Sequence, residues 1–191
     1  MCIRDSNYGD KEVIEYYTKL IKSVPDAKII LYNFEKLCGY KFSVDCVENL
    51  AARFPKNIIG VKDSSYNLMG NLKIKNFSIL PGSELKLLSG LKKDCSGIIT
   101  ATCNVTAKLA RKVFDDFEQK KEQTVNDKLC EVRKTFDQFN LISGLHSFLS
   151  LTDKQFLNIL PTCSLLNKQD EKILIGKLKD LDFLGKDFKA A

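Results

Sequence analysis

Residues 57–62 read NIIGVK, an apolar run of two isoleucines and a valine closed by a lysine. A run this short reads as a strand of a parallel sheet, where covering helices favour apolar residues at successive positions. The same pattern occurs upstream as KIILYN over residues 28–33. Between the two, Ser43 can cap a helix that carries Val44, Val47, Leu50, Ala51 and Phe54 on one face. Before them, Val13, Ile14, Tyr17, Leu20, Ile21 and Val24 recur at helical spacing behind Asp10 as N-cap, and Pro25 ends that helix.

Downstream the alternation continues in shortened form. FSIL (77–80) predicts a third strand, followed by Pro81-Gly82-Ser83 and a helical stretch from Glu84 to about Lys92. GIITAT (97–102) predicts a fourth strand, and Thr106 is read as the cap of a helix with Leu109, Val113, Phe114 and Phe117. Four strands alternating with helices predict right-handed βαβ units and an α/β fold with a four-stranded parallel sheet. From residue 121 to residue 191 helices take over. Val125, Leu129, Val132, Phe136 and Phe139 form one stripe, and Ile173, Leu174, Leu178 and Leu181 form another beyond Pro161. Residues 1–6, MCIRDS, join poorly to the segment that begins at Asn7 and are read as a non-native leader outside the fold.

Composition narrows the function. The 191 residues suffice for one domain with a real core, and 44% hydrophobic and 28% charged content is that of a globular protein. No run approaches the roughly 18 apolar residues of a membrane span, and no secretory signal is expected. The net charge of +6 comes from lysines scattered among acids, which argues against a nucleic-acid surface. Seven cysteines at irregular spacing, with no CxxC pair, predict reduced, mostly buried thiols in a cytoplasmic protein rather than a zinc site or disulfide framework. His146 is the only histidine, and no Ser-His-Asp grouping gathers around it.

In a parallel α/β structure the reactive groups sit at the carboxyl ends of the strands. Those ends are Tyr32 and Asn33, Lys62 and Asp63, Gly82 and Ser83, and Thr100 to Thr102. A lysine closing an apolar strand loses hydration, which favours the neutral, nucleophilic amine. Such an amine condenses with a 2-oxo acid to an iminium that acts as an electron sink. Gly60 would leave room for a substrate against the strand. Yet a lysine at a strand end is ordinarily solvated, and a tyrosine there ordinarily packs. These residue types alone leave catalysis open.

The segments YNFEKLCG (32–39), IIGVKDSS (58–65), LPGSE (80–84) and GIITATCNV (97–105) follow one another in order. In order, strand placement and approximate spacing the chain resembles the dihydrodipicolinate synthase and N-acetylneuraminate lyase family from about Asn7 onward. The resemblance implies a (β/α)₈ barrel followed by a C-terminal helical extension, with residues 7–120 as a partial barrel, its C-terminal half, and 121–191 as the extension. It implies Lys62 as the Schiff-base lysine, Tyr32 as the phenol that relays protons, Ile99 lining the pocket through its backbone, and Gly82 admitting substrate beside Glu84. It further implies a homotetramer, pyruvate as the 2-oxo acid, and no metal or organic cofactor.

Two departures refine this expectation. Glu35 and Leu37 stand where the family pattern places a proline and, in the synthases, an arginine for the substrate's distal carboxylate. An aliphatic side chain does not replace an arginine fork. Together with Asp63 after the lysine, this favours an aldolase of 2-keto-3-deoxy or hydroxy-oxo acids over 4-hydroxy-tetrahydrodipicolinate synthase, with a non-catalytic barrel-like regulator as a third reading. A full barrel needs about 250 residues and eight strands. The half not accounted for would carry the Gly-Thr-Thr-Gly-Glu loop for the pyruvate carboxylate and a tyrosine just before Asn7, so this chain alone is expected to be inactive.

Overall fold

The computed structural model describes residues 8–184. The leader reading of residues 1–6 therefore lies outside the described residues. The chain divides into two compact units, one of the residues up to Gly82 with Ser89–Ile99, the other of Ser83–Leu88 with the residues from Thr100 on.

The first unit opens with α1 (Asp10–Ser23), capped by Gly9 rather than Asp10. The Gly9 N–H donates to the Glu12 carboxylate at 2.9 Å, while Asp10 accepts from the Tyr40 hydroxyl at 2.7 Å and from Ser43. Then come β1 (Ile29–Asn33), a single turn α2 (Glu35–Cys38) and α3 (Val44–Arg53). Ser43 caps α3 as expected, accepting from the Cys46 N–H at 3.0 Å. β2 (Ile58–Asp63) and β3 (Ser78–Pro81) complete a parallel sheet ordered β1-β2-β3.

Strand parity decides what the sheet buries. Leu31, Val61 and Ile79 enter a core with Val13 and Ile21 of α1 and Val47 and Leu50 of α3. The alternate positions Ile30, Tyr32, Lys62 and Leu80 lie on the other face and are exposed or half-buried. The runs that looked buried on both faces are thus covered by this unit's core on one face only.

The fourth expected strand is absent, and three strands form the sheet among the described residues. GIITAT does run beside β3: Ser96 N–H donates to Ile79 O at 2.9 Å and Ile99 N–H to Pro81 O at 3.1 Å. A regular parallel ladder advances two residues on both strands between such bonds. Here β3 advances two and the partner three. Gly97 takes up the extra residue at φ 141°, a conformation open to glycine, and regular pairing is lost.

The second unit begins with a 3₁₀ turn (Glu84–Lys86) leading into α4 (Leu87–Leu91), whose later residues belong to the first unit. It continues with α5 (Cys103–Glu118), α6 (Asn126–Phe136), α7 (Leu141–Ser150) and α8 (Lys168–Asp180). The two anticipated stripes meet in its core, where Val132 and Phe136 pack with Leu145, Phe148, Leu174 and Leu178. Phe136 and Phe148 stack edge to face at 5.7 Å between centroids. Thr102, not Thr106, occupies the N-cap of α5. Thr106 lies one turn inside, because its hydroxyl is drawn to the buried Glu84 carboxylate at 2.9 Å.

Among the described residues no helix is long and apolar enough to cross a membrane. The six cysteines described are all free, but only Cys46 and Cys95 are buried and the other four are half-buried, so the thiols are not mostly buried as expected. No cluster of His, Cys, Asp or Glu suited to a metal occurs among the described residues.

Candidate active site

Parallel pairing of β1 with β2 sets Tyr32 opposite Lys62 and Asn33 opposite Asp63. The first pair shares the open face of the sheet. The Lys62 Nζ stands 4.2 Å from the centroid of the Tyr32 ring, which packs in turn on Phe34 at 5.9 Å. Tyr32 is 43% exposed and Lys62 is half-buried, so both side chains are reachable from solvent. The two strongest sequence candidates are brought together.

The second pair points the other way, into the protein. Asp63 is 0% exposed and accepts four hydrogen bonds: from Asn33 Nδ2 at 2.8 Å and from the backbone N–H groups of Tyr66, Leu68 and Met69 at 2.8, 2.9 and 3.0 Å. Sequence reasoning treats Asp63 as a marker of substrate class. Its position on the face opposite Lys62 makes it an organiser of the loop behind the strand. Strand parity was the available signal, since residues adjacent in a strand face opposite sides.

Gly82 follows β3 and donates its N–H to Asp63 O at 3.2 Å. A β-carbon there would collide with Ser64, including its Cα at 3.3 Å. The close approach that requires glycine is therefore that of the chain just after Lys62 and Asp63. Ile99 ties its N–H to Pro81 and is 39% exposed.

Glu84 belongs to the second unit, where it is 0% exposed. Its carboxylate accepts from Thr100 at 3.0 Å, Thr106 at 2.9 Å and Arg133 Nη1 at 3.0 Å. Arg133 also holds Asp137 at 2.9 Å, and despite its burial these two acids raise its pKa above the usual range. Arg133, which sequence reasoning missed, could be anticipated only as a basic residue in an apolar helix stripe.

Leu37, at the arginine position of the synthase pattern, is 51% exposed on α2. Glu35, at the proline position, uses the N–H that proline lacks to donate to Ser65 Oγ at 3.2 Å, and its carboxylate pairs with Lys41 at 3.4 Å. Tyr32 also forms one wall of a concavity of about 400 Å³. Tyr8, Tyr16, Tyr17 and Tyr40 line it too, with Phe42, Cys38, Val13 and Glu12. Burial pushes the Tyr17 phenol up to about 12, and burial with the bond to Asp10 pushes Tyr40 up as well, so both remain hydrogen-bond donors. Among the described residues no lysine or arginine lines this concavity.

The profile of the dihydrodipicolinate synthetase family matches residues 7–173. The chain belongs to this family. Among its relatives, a DapA-like lyase of Chloroflexus aurantiacus is 27% identical over 146 residues, covering 73% of this chain and 49% of that protein. A 4-hydroxy-tetrahydrodipicolinate synthase of Wigglesworthia glossinidia brevipalpis is 32% identical over 100 residues, 50% of this chain and 33% of that one. Of solved structures, dihydrodipicolinate synthase from Agrobacterium tumefaciens strain C58 superposes with a TM-score of 0.78 at 21% identity, over 92% of this chain and 62% of that chain. YagE, a prophage protein of the same family from E. coli K12 solved with pyruvate, superposes with a TM-score of 0.82 at 19% identity, over 95% and 64%. The α/β fold of this family member thus matches family structures at well below full length. The chain spans about half the length of the Chloroflexus relative.

Proposed function

We propose that this chain is the C-terminal part of a Schiff-base-forming, pyruvate-dependent lyase that cleaves a 2-keto-3-deoxy or hydroxy-oxo acid to pyruvate and an aldehyde. The observation that carries the proposal is the placement of the Lys62 amine over the Tyr32 ring on the open face of the sheet. Family membership and the pyruvate bound by YagE lend support.

In the proposed reaction the neutral Lys62 amine attacks the C2 carbonyl of the oxo acid, and the carbinolamine loses water to give an iminium. The C3–C4 bond then breaks, its electron pair moving into the iminium to form an enamine. Tyr32, whose phenol has given its proton to the hydroxide leaving the carbinolamine, accepts the C4 hydroxyl proton as the aldehyde forms and returns it to C3, and the proton released on hydrolysis of the final iminium restores the phenol. Water hydrolyses the new iminium, releasing pyruvate and restoring the amine. Gly82 and the backbone at Ile99 would border the substrate. Glu84 is fully buried, its oxygens occupied by Thr100, Thr106 and Arg133 within the second unit. No metal or organic cofactor has a part in these steps.

The aldolase reading is favoured over 4-hydroxy-tetrahydrodipicolinate synthase because Leu37 stands in place of the arginine fork. The synthase is kept as the second reading because relatives of that name are 32% and 31% identical. Retention of Lys62 and Tyr32 side by side weighs against a non-catalytic regulator. The proposal extends to a cytoplasmic homotetramer at full length and an inactive chain in isolation.

The test is a substrate panel given to the full-length protein that carries this chain. Release of pyruvate from 2-keto-3-deoxy or hydroxy-oxo acids, exceeding condensation of pyruvate with aspartate semialdehyde, is expected. The reverse ranking would select the synthase, and neither activity would favour the regulator.

A further inference from the structure

Asn33 and Asp63 immediately follow Tyr32 and Lys62, pair across the same two strands, and are both fully buried. We propose that they form a positioning clamp, a side-chain hydrogen bond that fixes the register of β1 on β2 and so sets Tyr32 against Lys62. The proposal rests on the Schiff-base reading above.

A parallel ladder repeats every two residues, so its backbone bonds alone tolerate a slip of that size. Such a slip would carry the phenol roughly 6–7 Å along the strand, out of reach of the amine. The far end of this ladder is already irregular, with a register shift between Ile29 and Ile30. Register at the reactive end needs a local pin. The 2.8 Å bond from Asn33 Nδ2 to Asp63 Oδ1 lies one residue from the reactive pair and is shielded from water.

Each partner is tied to the adjoining loops. Asn33 Nδ2 also donates to Asn67 Oδ1 at 2.8 Å, and its Oδ1 accepts from the Phe42 N–H at 3.1 Å. Asn67 in turn donates to Phe42 O at 2.9 Å. Asp63 gathers three backbone N–H groups, one of them from Tyr66, which is held at φ 58°. No ion pair involves Asp63 among the described residues, so these donors alone compensate its burial. An apolar pair of similar volume would serve packing without that desolvation cost. A directional pair defines position as well as filling space.

The exchange test uses the full-length protein. Asn33→Asp sets carboxylate oxygens against Asp63 and Asn67. Asp63→Asn turns an amide N–H toward backbone donors. The double variant Asn33→Asp/Asp63→Asn restores one amide–carboxylate bond with the roles reversed. Each single variant is expected to lower kcat by about 100-fold or more, since a misplacement of only about 1 Å already costs about that much. KM and the borohydride-trapped adduct at Lys62 should be retained, and the double variant, which still turns an amide N–H toward a backbone donor, should recover part of kcat and run faster than either single variant. Val47→Ala, a cavity variant in the core of the same unit, controls for plain destabilisation. Single variants no slower than that control would overturn the clamp. So would a double variant no faster than either single variant, or one that is unfolded. Should the singles not fold, recovery of folding and turnover in the double would still support it. A folded wild-type protein that forms no adduct gives a distinct result, sinking the Schiff-base reading itself.

Discussion

The Lys62 amine lies 4.2 Å from the centre of the Tyr32 ring, and the two residues are register partners on adjacent parallel strands. Their roles should separate kinetically. In the full-length protein, Tyr32→Phe is expected to keep the Lys62 adduct while kcat falls by about 10²- to 10⁴-fold, the usual share of a proton relay. Single-turnover trapping alongside steady-state rates measures both. Equal loss of trapping and turnover would assign Tyr32 to binding.

Leu37 tests substrate choice. Introducing the family's guanidinium by Leu37→Arg should raise kcat/KM for acceptors with a distal carboxylate by about 10-fold or more, the worth of one charge-assisted hydrogen bond. Uncharged acceptors should be little affected. Competition between the two acceptor classes gives the ratio directly.

The Glu84–Arg133 pair tests stability. With Glu84 fully buried and the Arg133 side chain 13% exposed, Arg133→Met strands a carboxylate and should cost about 3–5 kcal/mol in denaturant unfolding. The double variant Glu84→Met/Arg133→Met should be less damaging than Arg133→Met alone, because no fully buried charge is left unpaired and the freed Asp137 is 39% exposed.

Much of this was legible from the sequence. NIIGVK, KIILYN and FSIL became the three strands because short apolar runs are a local signal. The stripes on α6 and α8 appeared because helical spacing is too. GIITAT misleads because its failure to pair depends on one surplus residue at Gly97, a property of two segments rather than one. The roles of Asp63 and Glu84 were hidden for a similar reason. A carboxylate's partners lie on other loops and helices, and only the fold reveals whether it faces a substrate or an interior.

Cys95 gives a pH-dependent prediction. Burial, reinforced by Asp63, pushes its thiol up from an ordinary value of 9.0 to about 11. The folded state therefore holds the proton more tightly than the unfolded state. The stability this contributes is complete below pH 9 and is lost as pH rises toward 11. Alkylation at about pH 8, below the ordinary thiol range, should leave Cys95 unmodified in the native protein and modify it in denaturant, read by peptide mass.

The central claim is that Lys62 forms a Schiff base with pyruvate, and the most direct measurement is reductive trapping. The full-length protein is incubated with pyruvate and borohydride, digested, and its lysine peptides weighed. The expected result is a stable adduct on the peptide carrying Lys62 that disappears in Lys62→Met. A folded protein with no adduct, or with one on a different lysine, would contradict it.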